Sequence, residues 1–174
     1  NYFSVSKPVV RLVQDVQPME VEKIIVGSKP WEVHPGQSIF FHNDTNGKVI
    51  VNIANSSASL GCTHAFITAQ GAGFKAMDAP YASVNRSLKE FSVVPLNNVK
   101  TATYDLTLFF DTSELAAVNL ANVRILASST SQVAHMNKDN TQLIVPTMVQ
   151  TGNFYSFKAQ FTGAQTKYYL VDNH

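Results

Sequence analysis

Apolar and polar residues alternate with a period of two through most of this chain, in short runs bounded by Gly, Asn, Asp, Ser or Pro. That is the pattern of half-buried β-strands. Between Thr101 and Asp111, Tyr104, Leu106, Leu108 and Phe110 fall on one face and Thr103, Asp105 and Thr107 on the other, so the first face is expected in the core. From Phe154 to Thr162, Tyr155, Phe157, Ala159 and Phe161 alternate against Ser156, Lys158 and Gln160. Lys48 to Asn55 sets Val49, Val51 and Ile53 against Lys48 and Asn52. Further strands are expected over Val9 to Val16, Val21 to Val26, Ser38 to Asn43, Thr63 to Thr68, Ser87 to Val94, Val123 to Ser128 and Gln142 to Val145. Several of these are apolar on both faces, as strands in the middle of a two-layer structure are.

About ten short strands with turn residues between them predict an all-β fold, a two-layer antiparallel β-sandwich of Ig-like or jelly-roll-like arrangement. Asn46-Gly47 between two apolar runs predicts a hairpin, because both residues tolerate positive φ. Asp111, Thr112, Ser113 and Glu114 match a helix cap with Glu at the third position, followed by Leu115, Ala116 and Ala117. One short helical turn is therefore expected near residues 112–117. Pro30, Pro35, Pro80, Pro95 and Pro146 mark edges, bulges or loops.

The 174 residues suit a single domain, with residues 1–27 read as an arm or as part of a preceding module. Hydrophobic residues make up 45% and charged ones 14%, so Ser, Thr, Asn and Gln must cover much of the surface. With 13 basic and 12 acidic residues and a net charge of +1, no electrostatic drive toward nucleic acid is present. No apolar run approaches the roughly 20 residues that a membrane-spanning helix needs. The start at Asn1 reads as a segment cut from a longer chain, and His174 as the trace of a purification tag.

Candidate chemistry is sparse. Gly61, Gly71 and Gly73 do not match a dinucleotide-binding fingerprint and read as bulges and turns. His34, His42, His64, His135 and His174 show no paired-ligand spacing, so no metal is assigned to them. Cys62 with His64 suggests a nucleophile and base on one strand face, but nothing supplies an orienting acid, and a small buried Cys is the expectation. Scattered Asp, Glu and His leave a hydrolase as a third reading, which two carboxyls about 5 to 10 Å apart in a cleft would mark. No cofactor is assigned. Calcium has oxygen donors available at Asn43, Asp44 and Asn46, or at Asp139 and Asn140, although turn chemistry explains the same residues. Asn43, Asn55 and Asn85 begin glycosylation triplets of a kind that Ser- and Asn-rich loops produce by chance. The aromatic rings give the best binding expectation: Trp31, Phe74, Tyr81 and the pair Tyr168 and Tyr169 are candidates to stack on a sugar face or anchor a protein ligand.

From about Ile39 to Asp172 the order of segments resembles a β-rich module of large secreted and cell-surface proteins of Bacteroidota-type bacteria. The segments are Asn46-Gly47-Lys48-Val49-Ile50-Val51, Ser59-Leu60-Gly61-Cys62, Phe91-Ser92-Val93-Val94-Pro95, Ala102 to Phe110, Ser113-Glu114-Leu115, Asn122 to Leu126, and Phe157 to Leu170. The resemblance implies an extracellular or cell-surface module without catalytic residues of its own. It would lie near the C-terminus of an exported peptidase, hydrolase or adhesin, upstream of a type IX sorting domain, with the neighbouring domains of the parent chain as partners. The expected function is a noncatalytic accessory or structural module, and the alternative is a carbohydrate- or protein-binding, adhesin-like module using exposed aromatics.

Overall fold

The alternation resolves into two antiparallel sheets in the computed structural model, which describes residues 19–77, 81, 83–97, 99–163 and 165–172. The strand expected over Val9 to Val16, Pro80 and His174 lie outside them. The strands in chain order are β1 (Val26–Gly27), β2 (Trp31–Val33), β3 (Ser38–His42), β4 (Val49–Ala54), β5 (Gly61–Ala69), β6 (Phe74–Ala76) and β7 (Asn85–Ser87). They continue as β8 (Glu90–Pro95), β9 (Thr103–Asp111), β10 (Val123–Ser128), β11 (Thr141–Ile144), β12 (Thr147–Thr151), β13 (Phe154–Thr162) and β14 (Lys167–Asp172). The smaller sheet runs β12-β13-β9-β4-β3. The larger runs β1-β5-β8-β14-β10-β11, with β2 also on β5 and the β6–β7 pair attached to β14. This is the expected all-β sandwich.

The core lies between the sheets because period-two alternation turns one face of each strand inward. Leu106, Leu108 and Phe110 of β9 and Phe157 and Phe161 of β13 meet Ala65, Ile67, Phe91, Ile125 and Leu170 from the other sheet. Burying one such side chain contributes about 1.5–3 kcal/mol. Phe110 stands edge-on to both Phe91 and Phe157, at 5.4 and 5.8 Å between centroids. A polar pair crosses the same core: the Tyr104 hydroxyl donates to Gly163 O at 2.9 Å and lies 2.5 Å from the Tyr168 hydroxyl. Burial pushes the Tyr104 hydroxyl up to about 12, so it remains a donor.

Asn43 to Lys48 closes the predicted β3–β4 hairpin, with Gly47 N donating to Asn43 O at 2.7 Å and Gly47 at φ 73°. A bulge follows between Phe41 and His42, so that Phe41 faces Val51 while His42 faces Val49. The extra residue is Ile50. It lets Ile50 and Val51 both enter the core and sends Val49 to the opposite face, where it packs with Val21 and Phe109. The expectation that Val49 shares a face with Val51 and Ile53 is thereby corrected. Asp111 caps a 3₁₀ turn at Thr112–Leu115 in a capping box with Glu114, as the sequence predicts.

Gly163 holds φ at 73°, and a Cβ there would stand 2.9 Å from Lys100 O. Gly163→Ala combines left-handed backbone strain with a clash against a backbone carbonyl. A loss of about 2 kcal/mol in urea-unfolding free energy is expected.

Candidate functional site

The best-built polar feature is a strap, Met19 to Gly27, that crosses one end of the sandwich and touches both sheets. Val21 makes a parallel bridge to Val49 of the smaller sheet, and β1 pairs with β5 of the larger. This stretch was expected to be a strand from Val21 to Val26. It pairs only at its two ends, because the bend at Ile24 and Ile25 leads the chain from one layer to the other and leaves both side chains exposed.

Glu22 ties the strap down. Its carboxylate accepts from the Lys23 and Ile24 amides at 2.8 and 3.2 Å, and from Nδ2 of Asn43 and Asn46 at 2.8 and 2.9 Å. Burial works to raise its pKa, but these four donors outweigh burial and hold the carboxyl at about 2. Beneath the strap, Lys89 is buried with its ammonium fully used. Its Nζ donates to Glu22 O at 2.6 Å, Phe109 O at 2.9 Å and Glu114 Oε2 at 3.0 Å. The rings of Phe91 and Phe110 lie 5.1 and 5.0 Å from the same nitrogen. Burial pushes Lys89 down and Glu114 up, and each opposes the shift of the other. Glu114 Oε2 also accepts the Asp111 amide at 2.8 Å, so the capping box and the ion pair share one carboxylate.

With three donors committed to three acceptors, the amine has no lone pair facing a substrate. The cluster joins the strap, β9 and the 3₁₀ turn; its chemistry is that of a clamp. Beside the strap opens a groove of about 690 Å³ lined by Met19, Lys23, Lys48, Asp111, Asn153 and Phe154, among others. Next to it an aromatic row crosses the outer face of the smaller sheet, Phe40 to Phe109 at 6.2 Å and Phe109 to Phe154 at 6.0 Å.

The rings singled out in the sequence form no shared platform among the described residues, although Tyr81 and Tyr169 pack in one apolar cluster. Trp31, on β2, is 51% exposed. Phe74 is half-buried at the margin of the main core. Tyr81 is half-buried too, its hydroxyl 3.1 Å from Thr141 Oγ1, and it lines a separate apolar pocket of about 260 Å³ with Leu126, Leu143 and Val171. Tyr168 is 0% exposed, which corrects its place among the surface rings: its ring packs edge-on to Phe161 in the core and is closed to a ligand. Tyr169 is buried as well, beneath Arg86.

Cys62 and His64 share the outer face of β5, both half-buried, so the expectation of a buried Cys is also corrected. His64 stacks on Phe66 at 5.9 Å, and Glu32 faces Cys62 across the strand pair. Among the calcium-candidate residues the three Asn side-chain oxygens are engaged by backbone: Asn43 Oδ1 accepts Thr45 N, Asn46 Oδ1 accepts Lys48 N, and Asn140 Oδ1 accepts Asn137 N. Asp44 lies 3.8 Å from Lys29. Sequence reasoning identified Glu114 only as a cap, and missed Glu22, Lys89 and the Phe40 row.

Fold and clamp together define a two-sheet antiparallel β-sandwich with a strapped end. No family model matches the chain, and no curated protein and no solved structure matches it significantly.

Proposed function

We propose that this chain is a noncatalytic accessory module of a larger secreted or cell-surface bacterial protein, holding or spacing a neighbouring domain outside the cell. The observation that carries this reading is the clamp. The most elaborate polar chemistry among the described residues joins the strap to both layers and leaves no reactive group facing solvent. A chain with only 14% charged residues supports an exported module, and the resemblance to modules upstream of type IX sorting domains supports the cell-surface location.

A second reading, a carbohydrate- or protein-binding module, draws on one observation: Trp31 stands half out of the surface on a short edge strand between Pro30 and Pro35. Glycan-array binding of the purified chain beside Trp31→Ala separates the two. The accessory reading expects no specific signal from either protein. A specific signal present in the parent and at least tenfold weaker in Trp31→Ala would replace it with the binding module.

A further inference from the structure

The lateral edges of the two sheets are not equally protected. On one side of the larger sheet β1 and β2 are strands of two and three residues, separated by a stretch containing Pro30. On its other side β11 has four residues; Tyr81 bonds its Thr141, the Gln142 side chain is spent on Thr162, and Pro146 follows shortly after. In the smaller sheet the β3–β4 pair is bent next to Phe41 and His42 by the extra residue Ile50 on β4. Short strands, prolines and bulges deny an incoming strand a template.

The other edge of the smaller sheet, β12, starts directly after Pro146 but has no bulge along its five residues. It keeps unbroken register with β13 over Thr147 to Thr151, contains no charge and no proline, and is exposed at all five residues. Among the described residues only β13 pairs with it. Val149 is 51% exposed, and Leu143 and Val145 on the chain leading into β12 are exposed as well.

We propose that β12 is a self-pairing interface, on which a second copy of this chain lays its own β12 antiparallel across a two-fold axis, fusing the two smaller sheets into one. The sequence Thr-Met-Val-Gln-Thr fits this partner because it is close to symmetric about its centre. With the axis at Val149, Thr147 of one copy meets Thr151 of the other, Met148 meets Gln150, and Val149 meets itself. Val–Val and Thr–Thr are favourable cross-strand pairs, and no like charges are opposed. A partner of unrelated sequence places no such requirement on the order of residues in β12. The contact is one strand wide, which puts the dimer in the weak class.

Sedimentation equilibrium up to about 1 mM protein, a range suited to weak association, together with hydrogen exchange of the β12 amides, tests the proposal. The average mass is expected to climb toward twice that of the monomer, and the β12 amides to exchange more slowly as concentration rises. Val149→Lys sets two ammonium groups across the axis and is expected to weaken association at least tenfold while leaving the melting temperature unchanged, since the position is exposed. Mixing Val149→Lys with Val149→Glu should restore pairing. A monomer throughout the range overturns the proposal, as does a dimer indifferent to Val149→Lys. So do β12 amides equally slow at every concentration in a monomeric protein, because another part of the same chain would then occupy the edge.

Discussion

Lys89→Met is expected to lower the unfolding free energy by about 3–5 kcal/mol, because it leaves one half of a buried ion pair behind. Methionine fills similar space but donates nothing. The Glu114 carboxylate keeps only the Asp111 amide as donor, and the carbonyls of Glu22 and Phe109 lose the cation that satisfied them. Glu114 Oε1 already has no partner among the described residues, so its desolvation has little left to offset it. Glu114→Leu should cost a similar amount for the converse reason, with the cap lost as well. The double variant Lys89→Met/Glu114→Leu removes both charges and is expected to be less destabilised than the sum of the two, by more than about 1 kcal/mol in a double-mutant cycle. Urea melts of the four proteins measure this. Strict additivity would mean that the two side chains are not coupled.

The second large effect is acid lability centred on Glu22. Its folded-state pKa, about 2, lies below the ordinary 4.5, so the ionised carboxylate stabilises the fold fully above 4.5, and that contribution is lost as pH falls toward 2. Asp111 is shifted the same way: burial would raise it, but the Ser113 bonds and the charges of Lys23 and Lys89 hold it down. Glu22→Gln separates the two groups. At pH 7 it is expected to cost about 2 kcal/mol, the scale of hydrogen bonds to a buried charge. Between pH 4.5 and 2 the gap between parent and variant should close, because the parent's own carboxyl becomes neutral. Urea midpoints at pH 7, 4 and 2.5 measure it; a gap of constant size would show that Glu22 holds the strap by shape rather than by charge.

Legibility followed burial. β13 coincides with its expected strand because one apolar and one polar face make alternation visible, and β9 lies within its expected range; β10, buried on both faces, is found instead as a short apolar run. β14 is buried from Tyr168 to Asp172, since Tyr169 and Val171 meet a second cluster with Leu126, Met77 and Met136 outside the larger sheet, and the alternation that would have drawn its boundaries is erased. β12 escapes for the opposite reason, being exposed on both faces. The single strand expected over Ser87 to Val94 is two, broken at Leu88 and Lys89. A lysine between Leu88 and Glu90 reads as a surface residue. Only the fold brings it to Glu114, whose own role was half visible through the cap, and to the Glu22 carbonyl in a segment far earlier in the chain. Trp31 was recognisable as a loop-flanked ring, whereas Tyr168 could be placed inward only once its neighbours Phe91 and Phe161 were known.

The strap also fixes how the molecule would respond to pulling. Tension applied at Met19 meets the Val21–Val49 bridge on one layer first, then the Lys89 ammonium on the Glu22 carbonyl, and then the β1–β5 pair on the other layer. Each attachment must yield before the next is loaded, so the strap should give way in steps ahead of the sheets behind it.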